Sequence, residues 1–182
     1  MINIRKKGDL MSEEIPANMI MEKVSYFMYQ KMSALIADAR EKDAQIVGKA
    51  INVLFPKEAK IVASGYIFEG YIKNKKYRKA IEIYNKAKRP FWHTLEAAEC
   101  YEKLGLPNNT IREYEYLIRE YKRISIGPFP YDLYKLGVLY NEVNTKKSKQ
   151  YLEQSLSTYQ DDKRFTDKHK KKAKYLLNNL KK

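Results

Sequence analysis

Residues 77–90 read "YRKAIEIYNKAKRP". Ala80, Ile81, Tyr84 and Ala87 recur at the i, i+4, i+7 spacing of one helical stripe. Pro90, which cannot continue a helix, closes the segment. The preceding stretch, "KEAKIVASGYIFEGYIKNKK" over residues 57–76, reads as a partner helix with Ile61, Ser64, Ile67, Phe68 and Tyr71 on one face. The polar "KNKK" is a short connection. Two helices joined so tightly form an antiparallel hairpin.

The hairpin recurs. In "LEAAECYEKLGLPNNTIREYEYLI" (residues 95–118), Ala98, Tyr101, Gly105, Thr110, Tyr114 and Leu117 follow Phe68, Tyr71, Lys75, Ala80, Tyr84 and Ala87 by 30 residues. In "LYKLGVLYNEVNTKKSKQYLEQSL" (residues 133–156), Leu133, Leu136, Gly137 and Tyr140 repeat the first-helix stripe. Ser148, Leu152 and Ser155 repeat the second. Upstream, Ala34, Ile46 and Ala50 lie 34 residues before Phe68, Ala80 and Tyr84, and Pro56 lies 34 before Pro90. These offsets predict four helix pairs, the first degenerate.

Composition agrees with an all-α chain. Of 182 residues, 44% are hydrophobic, enough for a core, and only 7 are Gly and 6 Pro. No run of 18 apolar residues exists, so no membrane-spanning helix is expected. "MINIRKKGDL" lacks the apolar segment of a secretory signal. A single cysteine, Cys100, forms no internal disulfide, and a cytoplasmic location is the expectation. Codons for the Lys-Gly-Asp of "KKGDLM" can hold a ribosome-binding sequence, which makes Met11 a candidate start.

The pattern resembles the tetratricopeptide repeat, a 34-residue helix–turn–helix with the skeleton Leu-Gly-x-x-Tyr, Ala, aromatic, Ala, Pro. "LGVLY" (136–140) matches the first helix, "YRKAIEIYNKA" (77–87) the second, and "YEKLG" (101–105) supports the middle unit. Spacings of 34, 30 and 39 residues depart from uniformity, and Phe68 occupies a position the family gives to a small residue. The resemblance implies a short solenoid of stacked hairpins. The expected organisation is a tail at 1–12, an N-terminal helical segment at 13–56, repeat-like pairs at 57–160 and a basic capping helix at 161–182. In the N-terminal segment, Ile20, Val24, Phe27 and Leu35 fall in helical register, suited to the first hairpin or to a second copy of the chain.

Carrying the family's groove-facing positions across gives Glu69 and Lys73, then Trp92, Glu99, Glu102 and Lys103, then Tyr131, Tyr134, Asn141 and Glu142. The resemblance thus implies a non-enzymatic scaffold holding a protein or peptide partner in an aromatic groove of mixed charge. Trp92 is either an anchor for that partner or a core residue. Tyr131 and Tyr134 are the other expected anchors.

The net charge is +14, and residues 163–182 hold nine Lys/Arg against one Asp, a net +8. Lys163, Arg164, Lys168, Lys170, Lys171, Lys172 and Lys174 form a basic patch that would contact phosphates of nucleic acid without reading sequence. The same composition suits a solvating cap, with Ala173, Leu176, Leu177 and Leu180 on its inner side, or a surface for an acidic partner or membrane. Catalytic chemistry has no motif: His93, His169 and Cys100 stand apart, and Cys100 reads as a core thiol. Glu96, Glu99, Glu102 and Glu113 read as solvated helix charges. No metal or cofactor site is expected.

Overall fold

The computed structural model describes residues 17–54, 59–158 and 161–180. Met11 and Pro56 lie outside them. The described residues form helices and turns, without a strand. They are α1 (Ala17–Ala37), α2 (Glu41–Leu54), α3 (Ala59–Lys73), α4 (Tyr77–Lys86), a 3-10 turn (Phe91–His93), α5 (Thr94–Lys103), α6 (Pro107–Arg123), α7 (Pro130–Tyr140), α8 (Thr145–Ser157) and α9 (Asp167–Asn179). No described helix is long and apolar enough to cross a membrane. The chain divides into two compact units, Met1–Ala87 and Lys88–Lys182.

In the first unit α1 packs on α2 and α3, and α3 packs on α4. Tyr29, Met32, Leu35, Ile36, Ala44 and Ile51 form the core, with the Tyr29 and Tyr66 rings stacked at 5.4 Å. Phe68 is fully buried and lies 5.9 Å from the Tyr84 ring. The close helix approach expected of a small residue occurs instead at Gly70, where a Cβ would meet the Ser33 carbonyl at 2.8 Å. The α1 register differs from the expected one. Its buried stripe is Ser25, Tyr29, Met32, Ser33 and Ile36, so Leu35 is buried while Val24 and Phe27 are exposed. The Ile20 side chain lies outside the description.

One backbone turn recurs inside the hairpins. Ala39, Lys75 and Gly105 each take a left-handed φ, of 62°, 56° and 68°. At each, the following amide reaches back to the carbonyl five residues earlier: Arg40 to Leu35, Lys76 to Tyr71, Leu106 to Tyr101. This is the Schellman closure of a helix C-terminus. Five residues after each left-handed residue comes a small buried one, Ala44, Ala80 or Thr110. The first two hairpins are therefore offset by 36 residues, not 34. That explains why Ala34 and Ile46, placed by the 34-residue offset, are exposed.

In the second unit α5 packs on α6, α6 on α7, α7 on α8, and α9 on both α7 and α8. Ala98, Ile111, Tyr114, Leu117, Leu133, Leu136 and Tyr140 share one apolar cluster. Tyr134, Leu152, Phe165 and Ala173 share another, completed by Leu176, Leu177 and Leu180. The α7–α8 turn is built differently. Asn144 caps α8 by accepting the Lys147 amide at 3.0 Å. Gly137 lets α7 meet α8 closely, since a Cβ there would fall 2.7 Å from Leu152 Cγ. Two successive left-handed residues, Lys88 and Arg89, open this unit. Arg89 bonds the fully buried Glu113 at 2.8 Å, with Arg112 at 3.2 Å, so Glu113 is not the solvated charge that its type suggests.

Lys75 bears a Cβ where the geometry favours glycine. The left-handed cost of roughly 1–2 kcal/mol exceeds the roughly 0.5–1 kcal/mol of extra unfolded-chain entropy that glycine brings. Lys75→Gly should therefore stabilise the fold by about 0.5 kcal/mol. Gly105→Ala should destabilise it by about 1 kcal/mol, because the space around Gly105 is open and only φ is at stake. Urea midpoints of both variants check the pair of signs.

Candidate functional site

The face built by α5 and α7 in the second unit gathers most of the sequence-selected residues. Thr94, Ala97, Ala98, Cys100 and Tyr101 turn one side of α5 into the core. The other side must then carry Glu96, Glu99, Glu102 and Lys103; all are exposed except Glu96, which is half-buried. The turn leading into α5 leaves Trp92 64% exposed, its ring edge-on to His93. On α7, Lys135 binds both oxygens of the Glu102 carboxylate, at 2.5 and 2.6 Å.

At the start of α7 the carboxylate of Asp132 has no solvent exposure. Arg164 spans it with bonds of 3.0 and 3.3 Å, and the Tyr121 hydroxyl donates to it at 3.4 Å. The same guanidinium holds Asp162 with two bonds of 3.0 Å, and Asp162 accepts the Tyr131 amide at 3.3 Å. The Phe129 and Tyr131 rings lie 5.6 and 5.2 Å from Arg164. Burial pushes the Asp132 carboxyl up, and Arg164 pulls it back only in part. Burial acts the same way on Asp162, where the Arg164 bonds outweigh it and hold the carboxyl low.

This face carries five carboxylates, Glu96, Glu99, Glu102, Asp132 and Asp162, against two cations, Lys135 and Arg164. Desolvation raises the Glu99 carboxyl, and Glu96 and Glu102 add to the rise. Glu96 Oε2 and the Tyr114 hydroxyl are buried and find no hydrogen-bond partner among the described residues. Burial, with the charges of Asp132, Glu102 and Glu99, drives the Tyr114 phenol well above its usual range.

Two expected groove anchors are already occupied. Tyr134 is 5% exposed, covered by Phe165 and Ala173, and the Tyr131 ring packs on Tyr134 and His169. Burial therefore removes Tyr134 from the partner-binding set. Asn141 is half-buried and Glu142 exposed, just past α7. In the first unit Glu69 is half-buried and Lys73 exposed, both on α3.

The basic patch divides in the same way. Lys163, Lys168, Lys170, Lys171, Lys172 and Lys174 are exposed, with Lys170 placed 3.5 Å from Asp167. Arg164 instead serves the internal pairs described above. The Thr166 amide donates to His169 Nδ1 at 3.2 Å, closing the first turn of α9. Asp132 and Glu113, the buried charges, had a periodic signal. Asp132 precedes Leu136 and Tyr140 at i+4 and i+8, and Glu113 precedes Leu117 at i+4.

Among the described residues no group of three or more His, Cys, Asp or Glu side chains is arranged to hold a metal ion. No protein-family model, curated protein or solved structure matches the chain.

Cys100 is a buried thiol whose pKa burial pushes up to about 12, with Glu99 and Glu96 adding to the rise. Its native reaction with a charged disulfide reagent at pH 8 should run at least a hundredfold slower than in urea. Comparable rates in the two states would contradict the burial.

Proposed function

We propose that the chain is a non-enzymatic, cytoplasmic binding module, built as a tetratricopeptide-like stack of helix hairpins. It holds a polypeptide partner on the α5–α7 face. Trp92 is the observation that carries this reading: a large indole, 64% exposed, at the head of a helix whose open side presents carboxylates. Trp is a favoured interface anchor, and its apolar area gains most when a partner removes it from water. The carboxylate excess beside it suits a segment bearing Lys or Arg, which can meet both the ring and the anions. The recurrent turn at Ala39, Lys75 and Gly105 supports the stacked-hairpin reading. The high Cys100 pKa speaks for a structural thiol rather than a nucleophile. Exposed Val24 and Phe27 on α1 support self-association through that helix.

A second reading rests on α9. Its exposed lysines, together with Lys163, suit sequence-independent contact with nucleic-acid phosphates. Such binding would weaken steeply with salt.

Selection of a displayed random-peptide library on the full chain should enrich Lys/Arg-bearing sequences. Trp92→Ala should weaken the selected peptide at least tenfold, and Glu99→Gln by a smaller factor, with urea midpoints unchanged because both side chains are exposed. Equal affinity in both variants, or enrichment of acidic peptides, would sink the reading.

A further inference from the structure

A cleft in the second unit lies between α6 and α8, formed by helices other than the pair that carries Trp92. Its volume is about 350 Å³, and it is lined by Glu115, Ile118, Arg119, Lys122 and Tyr151. Cavities of small-molecule sites begin near roughly 300 Å³. The four α6 residues follow the i, i+3, i+4, i+7 spacing of one helical stripe. A stripe facing a neighbouring helix is ordinarily apolar. Here only Ile118 is apolar, and three positions are charged.

The charges do not cancel. Glu115 Oε1 accepts the Tyr140 hydroxyl at 2.5 Å and Lys147 Nζ at 2.9 Å. Burial would raise that carboxyl, but these two bonds outweigh it and hold it low. One cation thus already answers the one anion. Arg119 and Lys122 remain exposed, and neither has a carboxylate within ion-pair distance among the described residues. Arg119 lies 5.4 Å over the Tyr116 ring, which leaves its N–H groups available. Two surplus positive charges match a phosphate dianion, and the guanidinium fork fits phosphate oxygens in pairs.

The cleft also has an apolar wall. Ile118 is buried, and the Tyr151 ring is fixed by stacking on Tyr140 at 5.8 Å and 10°. A flat ring can lie against that wall. Glu115 Oε2, which takes no hydrogen bond among the described residues, can accept from a ring amino group. We infer that this cleft binds a nucleoside phosphate, with its phosphate on Arg119 and Lys122, its base against Tyr151, and an exocyclic amine on Glu115. The inference stands apart from the peptide reading of the α5–α7 face.

Calorimetric titration of the full chain at low salt with AMP, adenosine, orthophosphate and an octamer of adenylate tests it. AMP should bind at least tenfold tighter than adenosine or orthophosphate, since each lacks half of the contacts. Arg119→Gln/Lys122→Gln should lose at least tenfold in AMP affinity, with an unchanged urea midpoint because both side chains are exposed. Lys170→Gln/Lys172→Gln/Lys174→Gln on α9 should bind AMP as the parent does. An octamer binding far tighter than AMP would identify a nucleotide within a strand as the ligand; equal binding would identify the free nucleotide. AMP binding no tighter than orthophosphate, or unchanged in the Arg119/Lys122 variant, would overturn the inference. So would equal loss in the α9 variant.

Discussion

The Asp132 carboxylate is closed off from water, and a buried anion is tolerable only beside a matched cation. Arg164 supplies that cation from 32 residues along the chain. Much of the second unit's character follows from the pairing. The segment that carries Arg164 also carries Asp162 and Phe165, so holding the guanidinium brings both onto α7. Phe165 then covers Tyr134, and Ala173 with the α9 leucines completes the cluster around Leu152. The cost of desolvating Asp132 and Asp162 is offset locally by several charge-assisted bonds and two aromatic rings, not by one isolated contact.

The helices were legible in the sequence because burial imposes a period. Ala80, Ile81 and Tyr84, then Thr110, Tyr114 and Leu117, then Ser148, Leu152 and Ser155 are the positions buried in their helices. Each stripe was readable from its own segment. The first helix pair was harder to place. Its register depends on Ala39, a residue whose type gives no hint of a left-handed φ. Gly105 announced the same turn plainly, and Lys75 was found only through its correspondence to Gly105. An offset wrong by two residues turns a helix stripe by more than half a revolution, which is why Ile46 was placed inward and stands outward.

Charge partners were far less legible than helices. Lys and Arg in residues 163–174 look alike as composition, yet Arg164 is bound internally and its lysine neighbours face solvent. What separates them is the position of Asp132, a long-range fact that local pattern does not contain. Tyr131 and Tyr134 show the same limit. A family groove places them at a surface, whereas the C-terminal segment folds over them. Trp92 and Glu99 remain open because α9 reaches only α7 and α8. The α6–α8 cleft left a local trace of another kind, a helical stripe charged at the positions that face a neighbour.

A double-mutant cycle on Asp132→Asn and Arg164→Gln, read as urea unfolding free energies, tests the pairing on which this account depends. The two side chains should couple by about 2 kcal/mol, with the double variant less damaged than the sum of the singles. Asp162 does not enter the coupling, because it travels with Arg164 in the same segment. Additivity to within about 0.5 kcal/mol would show that Asp132 is not held by Arg164, and the C-terminal segment would need another reason to cover α7.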